Sequence, residues 1–237
     1  MRGLGKDSSS ILHKSILMNN GQYAECIAYR GCFDIDIRFE DGTKMYNIYK
    51  DCFLARSILH PKLPRCYSLP QYILYTYMLS FFPDAIIDYK PDWLKCNNYR
   101  YELDIYIPSL KVGVEYDGAF FHSNEIHNKK YEVVSETEEL NTVYQILELG
   151  AKDYSTIYED VRSFQLSTTT SSGCCLELYL QDLSNSITWL LKQLSVPNPI
   201  VNITVDEYNS LRESLRQYMR ARNNEFIYVE EADEIEA

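Results

Sequence analysis

The sequence predicts an α/β (α+β) protein with a small three-stranded β-domain at its N-terminal end. Three observations carry this. Residues 101–107 and 111–117 alternate apolar and polar positions with a period of two, and Pro108-Ser109 between them is turn chemistry. Residues 21–58 hold two further β-rich stretches, a Glu40-Asp41-Gly42 hairpin turn and a third β-rich stretch. Residues 68–82 instead place Ile73, Leu74, Tyr77 and Met78 at helical spacing. A chain of 237 residues is long enough for one sizeable core, or for a core plus an accessory domain. Its 46% hydrophobic content excludes wholesale disorder.

In chain order, residues 1–20 are expected to be a flexible leader, with a Ser8-Ser9-Ser10 run and no apolar signal-peptide core. Residues 21–62 form the β-domain, with strands at 23–29, 33–39 and 43–49 and a short helix at 51–58. Arg30, Arg38, Lys44 and Lys50, beside Arg56 and interleaved with Tyr29, Tyr46 and Tyr49, fit a β-ribbon that meets DNA. A small protein-docking domain fits the same residues. Pro61 and Pro64 mark a linker to the core at 65–165.

The core opens with a helix. Ser68 is its N-cap, Pro70 sits in its first turn, and Gln71 lies where a capping box has its Glu or Gln. Phe82-Pro83-Asp84 ends the helix, and a short strand is expected at 85–89. After the 101–117 hairpin, residues 129–150 predict a long helix closed by Gly150. If that helix runs to its end, 151–158 is expected to return as a strand; residues 142–147, however, are rich enough in β-formers to be a strand instead. The extension at 166–229 contains a loop, a strand and amphipathic helix within 175–194, a short β segment at 201–205 and a helix at 206–223. Arg212, Arg216 and Arg220 recur every four residues on that last helix and share a face. They are the candidate phosphate contacts; a merely solvated basic face is the alternative. Residues 230–237 hold five acidic residues and form a solvated tail.

The chemistry concentrates in the 101–117 hairpin. If its strands pair, Asp104 and Glu115 fall side by side, with Asp117 two residues further along the same face. Crowded carboxylates repel one another and are costly to desolvate. A hard cation with oxygen ligands, Mg²⁺ above all, relieves both costs. An acidic face turned to water is the plain alternative. Beside such a cluster His122 is a candidate base for activating water. His127 follows it at i,i+5 with no cysteine near, which argues against zinc.

Other classes are excluded. No run of apolar residues reaches the length of a transmembrane helix. Seven cysteines, odd in number and without a CxxC pair, point to reduced thiols in a cytoplasmic protein. The net charge of −11 is unfavourable for DNA unless a local basic patch exists.

Two resemblances add to these expectations. Tyr29, Arg30, Asp34, Ile35, Asp36, Ile37, Phe39, Glu40, Asp41 and Gly42 give a YRxxxDIDIxFEDG pattern. This resembles a small β-domain found beside nucleases and mobile-element genes in bacteria and phages, and implies a docking or targeting role. Residues 68–160, with ELDIYIPSLKVGVEYDG followed by FFHS as the most specific part, resemble the PD-(D/E)xK nuclease core. The closer likeness is to its very-short-patch-repair branch, which carries an E-D-x-H-D constellation. This implies a restriction-endonuclease-like core, a mixed central sheet flanked by helices, and a DNA endonuclease dependent on Mg²⁺ or Mn²⁺. Asp104 and Glu115 would hold the metal, Asp117 would stand where the general pattern has Lys, and His122 would handle the proton. The acidic residue after the hairpin would be Glu139, with Glu138 as its alternative. Relatives carry Glu on the first helix where this chain has Gln71. That change leaves a second expectation, a weakened or inactive nuclease fold that binds a protein partner of a nucleic-acid-processing or defence complex. Neither expectation involves a membrane.

Overall fold

The computed structural model describes residues 11–63, 67–96, 99–118, 130, 134, 137–156, 158–167 and 175–235. The chain divides into two compact units, one made of Met1–Tyr67 with Ser210–Ala237 and the other of Ser68–Asn209. The helices of the described residues are α1 (Lys50–Leu54), α2 (Leu69–Phe81), α3 (Leu176–Gln193) and α4 (Val205–Ile235).

In the first unit β1 (Ser15–Leu17), β2 (Tyr23–Gly31), β3 (Asp34–Phe39) and β4 (Lys44–Ile48) form an antiparallel sheet in that order. Alternate residues turn inward. Ala24, Cys26, Ile35, Ile37 and Phe39 bury against Ile16, Met18, Phe53 and Ile58. The expected three strands are therefore four, and the leader is not loose as far as residue 20. Ser15–Leu17 pairs with residues 23–25 and covers the edge of β2, which would otherwise leave its backbone groups open.

The C-terminal extension also divides differently from expectation. From Ser210 onward α4 belongs to the β-domain, and it stays helical through Ile235. Arg216, only 8% exposed, donates to Asn19 Oδ1 through Nε and Nη2, both at 3.2 Å, and to Glu213 through Nη1. Arg220 pairs with Glu40 at 2.7 Å, donates to the Gly21 carbonyl and lies over the Tyr23 ring at 5.0 Å. Asn223 Nδ2 donates to Asn20 O at 2.5 Å. Gly21 has φ +79, and a Cβ there would meet the Arg220 backbone nitrogen at 2.3 Å. Glycine is needed both for the turn and for the approach of the helix backbone.

In the second unit β5 (Ile86–Tyr89), β8 (Leu103–Ile107), β9 (Val112–Asp117), β10 (Thr142–Glu148) and β11 (Val161–Leu166) form a mixed sheet in the order β11-β10-β9-β8-β5. The β5–β8 and β8–β9 pairs are antiparallel; β9–β10 and β10–β11 are parallel. A short ribbon of β6 (Lys95–Cys96) and β7 (Tyr99–Arg100) precedes β8. Helix α2 packs on β5, β8, β9 and α3, and α3 packs on β11.

The long helix expected at 129–150 does not form over its second half. Residues 142–148 are a strand flanked on both sides, and Val143, Ile146 and Leu147 are buried, so near-continuous apolar character suits a central parallel strand. Lys130 and Val134 have helical backbone. With 142–148 a strand, the strand that a helical 129–150 would have placed at 151–158 is not seen among the described residues 151–156 and 158, and β11 follows at 161–166. Residues 176–193 are one helix without the expected strand, burying Tyr179, Leu183, Ile187 and Leu190 at helical spacing. Residues 201–204 are not a strand either; Ile203 N donates to Ser184 Oγ of α3. Among the described residues no helix is long and apolar enough to cross a membrane. Cys26, Cys32, Cys52 and Cys175 are free thiols.

The Glu40–Arg220 pair gives a pH-dependent prediction. Its hydrogen bond from Arg220 holds the Glu40 carboxyl below the usual range. A depressed folded pKa contributes stability above the unfolded value and loses it as pH falls through the folded one. Arg220→Gln should therefore lower the melting temperature at neutral pH, and the gap to the parent protein should close below about pH 4. Thermal melts across pH check this; a gap that does not change with pH would separate Arg220 from Glu40.

Candidate active site

The register of the hairpin builds the site. Ile107 pairs with Val112, Tyr106 with Gly113 and Ile105 with Val114, which sets Asp104 opposite Glu115 at the next step. There the ladder is completed by a side chain, as Asp104 Oδ2 accepts from Tyr116 N at 2.8 Å. The other carboxylate oxygen, Oδ1, accepts from Gln71 Nε2 at 3.2 Å. Gln71 therefore does not close a reciprocal capping box. Its backbone N–H is capped by Ser68 Oγ at 3.2 Å, while its side chain reaches from the first turn of α2 to Asp104.

Glu115 and Asp117 are almost completely buried, at 2% and 1% exposure, as is Lys130 at 6%. Lys130 Nζ stands 2.5 Å from Glu115 Oε1. Burial pushes the Glu115 carboxyl well above its ordinary range, against the pull of Lys130 and with a further push from Asp104 and Asp117. The ammonium of Lys130 is pulled down by its burial, but Glu115 and Asp104 outweigh this and hold it above its usual range. On the next strand Gln145 lies beside Glu115 in register. Its amide nitrogen donates to Asp117 Oδ2 and to Lys152 O, and its oxygen accepts from Tyr154 N and Ser163 Oγ.

Asp104, Glu115 and Asp117 are thus brought together as the sequence predicts, and Lys130 and Gln145 join them unpredicted. The signal for a lysine is the charge balance itself. Three carboxylates at a buried strand end need a cation, although Arg100 and Lys111 lie nearer along the chain than Lys130 does. The signal for Gln145 is an amide in the middle of the apolar run TVYQIL. Glu139 does not join the site. It is exposed in the turn before β10, and Thr142 pairs with Val112 at the opposite end of β9. Three to five residues of strand, roughly 10–17 Å, separate that end from Glu115 and Asp117. Glu138 lies in the same turn, its carbonyl accepting from Lys111 Nζ. His122 and His127 lie outside the described residues.

The candidate DNA contacts are mostly engaged internally. Arg30 is held by Asp34 and Asp36, and Arg38 by Glu25 at 2.7 Å. Arg216 and Arg220 hold α4 to the β-domain, while Lys44 and Arg212 are exposed and Lys50 is half-buried at the start of α1. A continuous basic face of the expected kind does not form from these residues.

Does the donor set fit a hard divalent cation? Among the described residues no three His, Cys, Asp or Glu side chains converge closely enough to hold a metal alone. Mg²⁺, however, is usually held by one or two carboxylates, with water and phosphate oxygens completing the shell. Asp104 and Glu115, opposite each other on β8 and β9, are two carboxylates of that kind, although both Asp104 oxygens accept hydrogen bonds and Glu115 meets Lys130. With all groups ionised, three carboxylates and one ammonium leave a formal charge of about −2, which a divalent ion offsets.

Two substitutions test this geometry. Lys130→Met should destabilise the protein by about 3–5 kcal/mol at neutral pH, because it strands a buried carboxylate. Chemical denaturation measures it, and an unchanged midpoint would mean that the pair is not buried as described. Gln71→Glu should lower stability without metal, through repulsion by Asp104, and regain it when Mg²⁺ is added. A melting temperature indifferent to both the substitution and the ion would remove Gln71 from the site. In comparison with known proteins, no family model and no curated protein matches this chain.

Proposed function

We propose that the chain is a Mg²⁺-dependent DNA endonuclease that hydrolyses phosphodiester bonds, its chemistry carried by the Ser68–Asn209 unit. Mn²⁺ is the alternative ion. The observation that carries this reading is the meeting of Asp104, Glu115 and Asp117 with Lys130 at one end of β8 and β9. Buried like charges are retained at a cost, and such clusters are characteristic of sites that bind ions or perform chemistry.

Asp104 and Glu115 would hold the ion. When bound, it supplies Lewis-acid polarisation of a phosphate oxygen and a more acidic water. Gln71 and the Tyr116 N–H fix the two oxygens of Asp104, so that carboxylate does not have to be ordered when substrate arrives. Lys130 offers an ammonium beside Glu115, placed to stabilise charge that builds on the phosphate. Gln145 fixes Asp117. His122 keeps its expected part in handling the proton of the attacking water.

A second reading has an observation in its favour. Lys130 already neutralises one of the two candidate ligands, and Gln71 offers Asp104 an amide where relatives of the resembled family carry Glu. On this reading the chain is a catalytically weakened nuclease fold that uses its acidity to bind a protein partner of a nucleic-acid-processing complex. The free thiols agree with a cytoplasmic setting under either reading.

Plasmid DNA separates the two. The endonuclease should nick or linearise supercoiled plasmid with Mg²⁺ or Mn²⁺ and not with EDTA. Asp104→Asn should abolish this while leaving the fold intact by circular dichroism. No cleavage by the parent protein with either ion would transfer the assignment to the binding reading.

A further inference from the structure

Away from the carboxylates, the Ser68–Asn209 unit has an open groove of about 640 Å³ along β11, the last strand of its sheet. Trp189 of α3 lines it, partly exposed, with Tyr144 edge-on to its ring at 5.8 Å and Phe164 at 5.5 Å. The indole is thereby braced without being covered. Arg162 of β11 lines the same groove beside Tyr144 in register. It is exposed and has no ion-pair partner among the described residues, unlike Arg30, Arg38, Arg216 and Arg220, each of which is bound to a carboxylate. Gln193 and Glu159 add an amide and a carboxylate, donor and acceptor groups of the kind that read base edges.

We propose that this groove is a binding subsite for an unpaired nucleotide of a DNA strand, with the base against Trp189 and the phosphate on Arg162. An aromatic platform beside a guanidinium is the chemistry by which single strands are held. A base inside a duplex has both faces covered by its neighbours, so only an unpaired base can offer one to the indole.

The groove is tied to the carboxylate site. Ser163, in its wall, donates to Gln145 Oε1 at 2.9 Å, and the Gln145 amide holds Asp117. Two strand spacings, about 10 Å, separate β9 from β11. A strand held at the carboxylates would thus have its flank within reach of the groove. The choice of DNA as ligand rests on the endonuclease reading; the groove itself does not.

The test uses the full chain in EDTA, so that binding is read without cleavage. A short thymine oligonucleotide is titrated while tryptophan fluorescence and oligonucleotide anisotropy are recorded. Only Trp93 and Trp189 emit. Quenching should occur and should vanish in Trp189→Phe, which keeps an aromatic ring in the packing. Arg162→Gln, at an exposed position, should weaken binding about fivefold or more and flatten the salt dependence by about 0.7. Equal affinity and salt slope for Arg162→Gln, or quenching that persists in Trp189→Phe, overturns the inference even if plasmid is nicked. Binding with the expected losses upholds it even if plasmid is never nicked, and then only the endonuclease reading fails.

Discussion

Glu115 is a carboxylate placed where water cannot solvate it, and much of the Ser68–Asn209 unit is arranged around that placement. Lys130 reaches it from the segment between β9 and β10. Asp104, opposite on β8, spends its oxygens on the first turn of α2 and on the β9 backbone. Asp117 is held by Gln145 of β10, whose other bonds run to Ser163 on β11 and to the loop at Lys152 and Tyr154. One polar layer thus crosses four strands, and the parallel register of β9 and β10 is what sets Gln145 beside Glu115. A slip of one residue would turn the amide to the other face and take its hydrogen bond from the buried Asp117.

Much of this layer was legible in the sequence. The period of two on either side of Pro108-Ser109 put Asp104 against Glu115, and the Ser68 cap fixed where the first turn of α2 begins. Other parts were not, for identifiable reasons. Residues 142–148 carry apolar residues at spacings that satisfy a buried strand and a buried helix alike, and burial between two neighbours decides the matter. Lys130 was missed because a mobile ammonium stem can serve a site from many sequence positions, so the need for a cation is readable while its donor is not. Glu139 belongs beside the site only if 129–150 is helical throughout; with 142–148 a strand it lies in the turn beyond the far end of β9.

The arginines of the β-domain teach a separate point. Spacing of four correctly set Arg212, Arg216 and Arg220 along one side of a helix, but spacing does not reveal what lies across from that side. Asn19, Gly21 and Glu40 do, and they come from about 180–200 positions earlier in the chain. With Arg30 and Arg38 also matched to local carboxylates, the guanidiniums of this unit act as struts between elements. This is why a chain with net charge −11 can carry an arginine-marked helix without presenting a basic surface there.

The β-domain is discontinuous, with residues 68–209 inserted between its strands and the helical segment that completes it. A ribosome therefore delivers all four strands of that domain long before the helix that meets Gly21 and Asn20. The inserted unit is complete in sequence first and is free to fold first, reversing the usual order in which an N-terminal domain is finished before its successor. Until residues 210–223 emerge, the strands wait with the surface that receives Met219 and Arg216 uncovered.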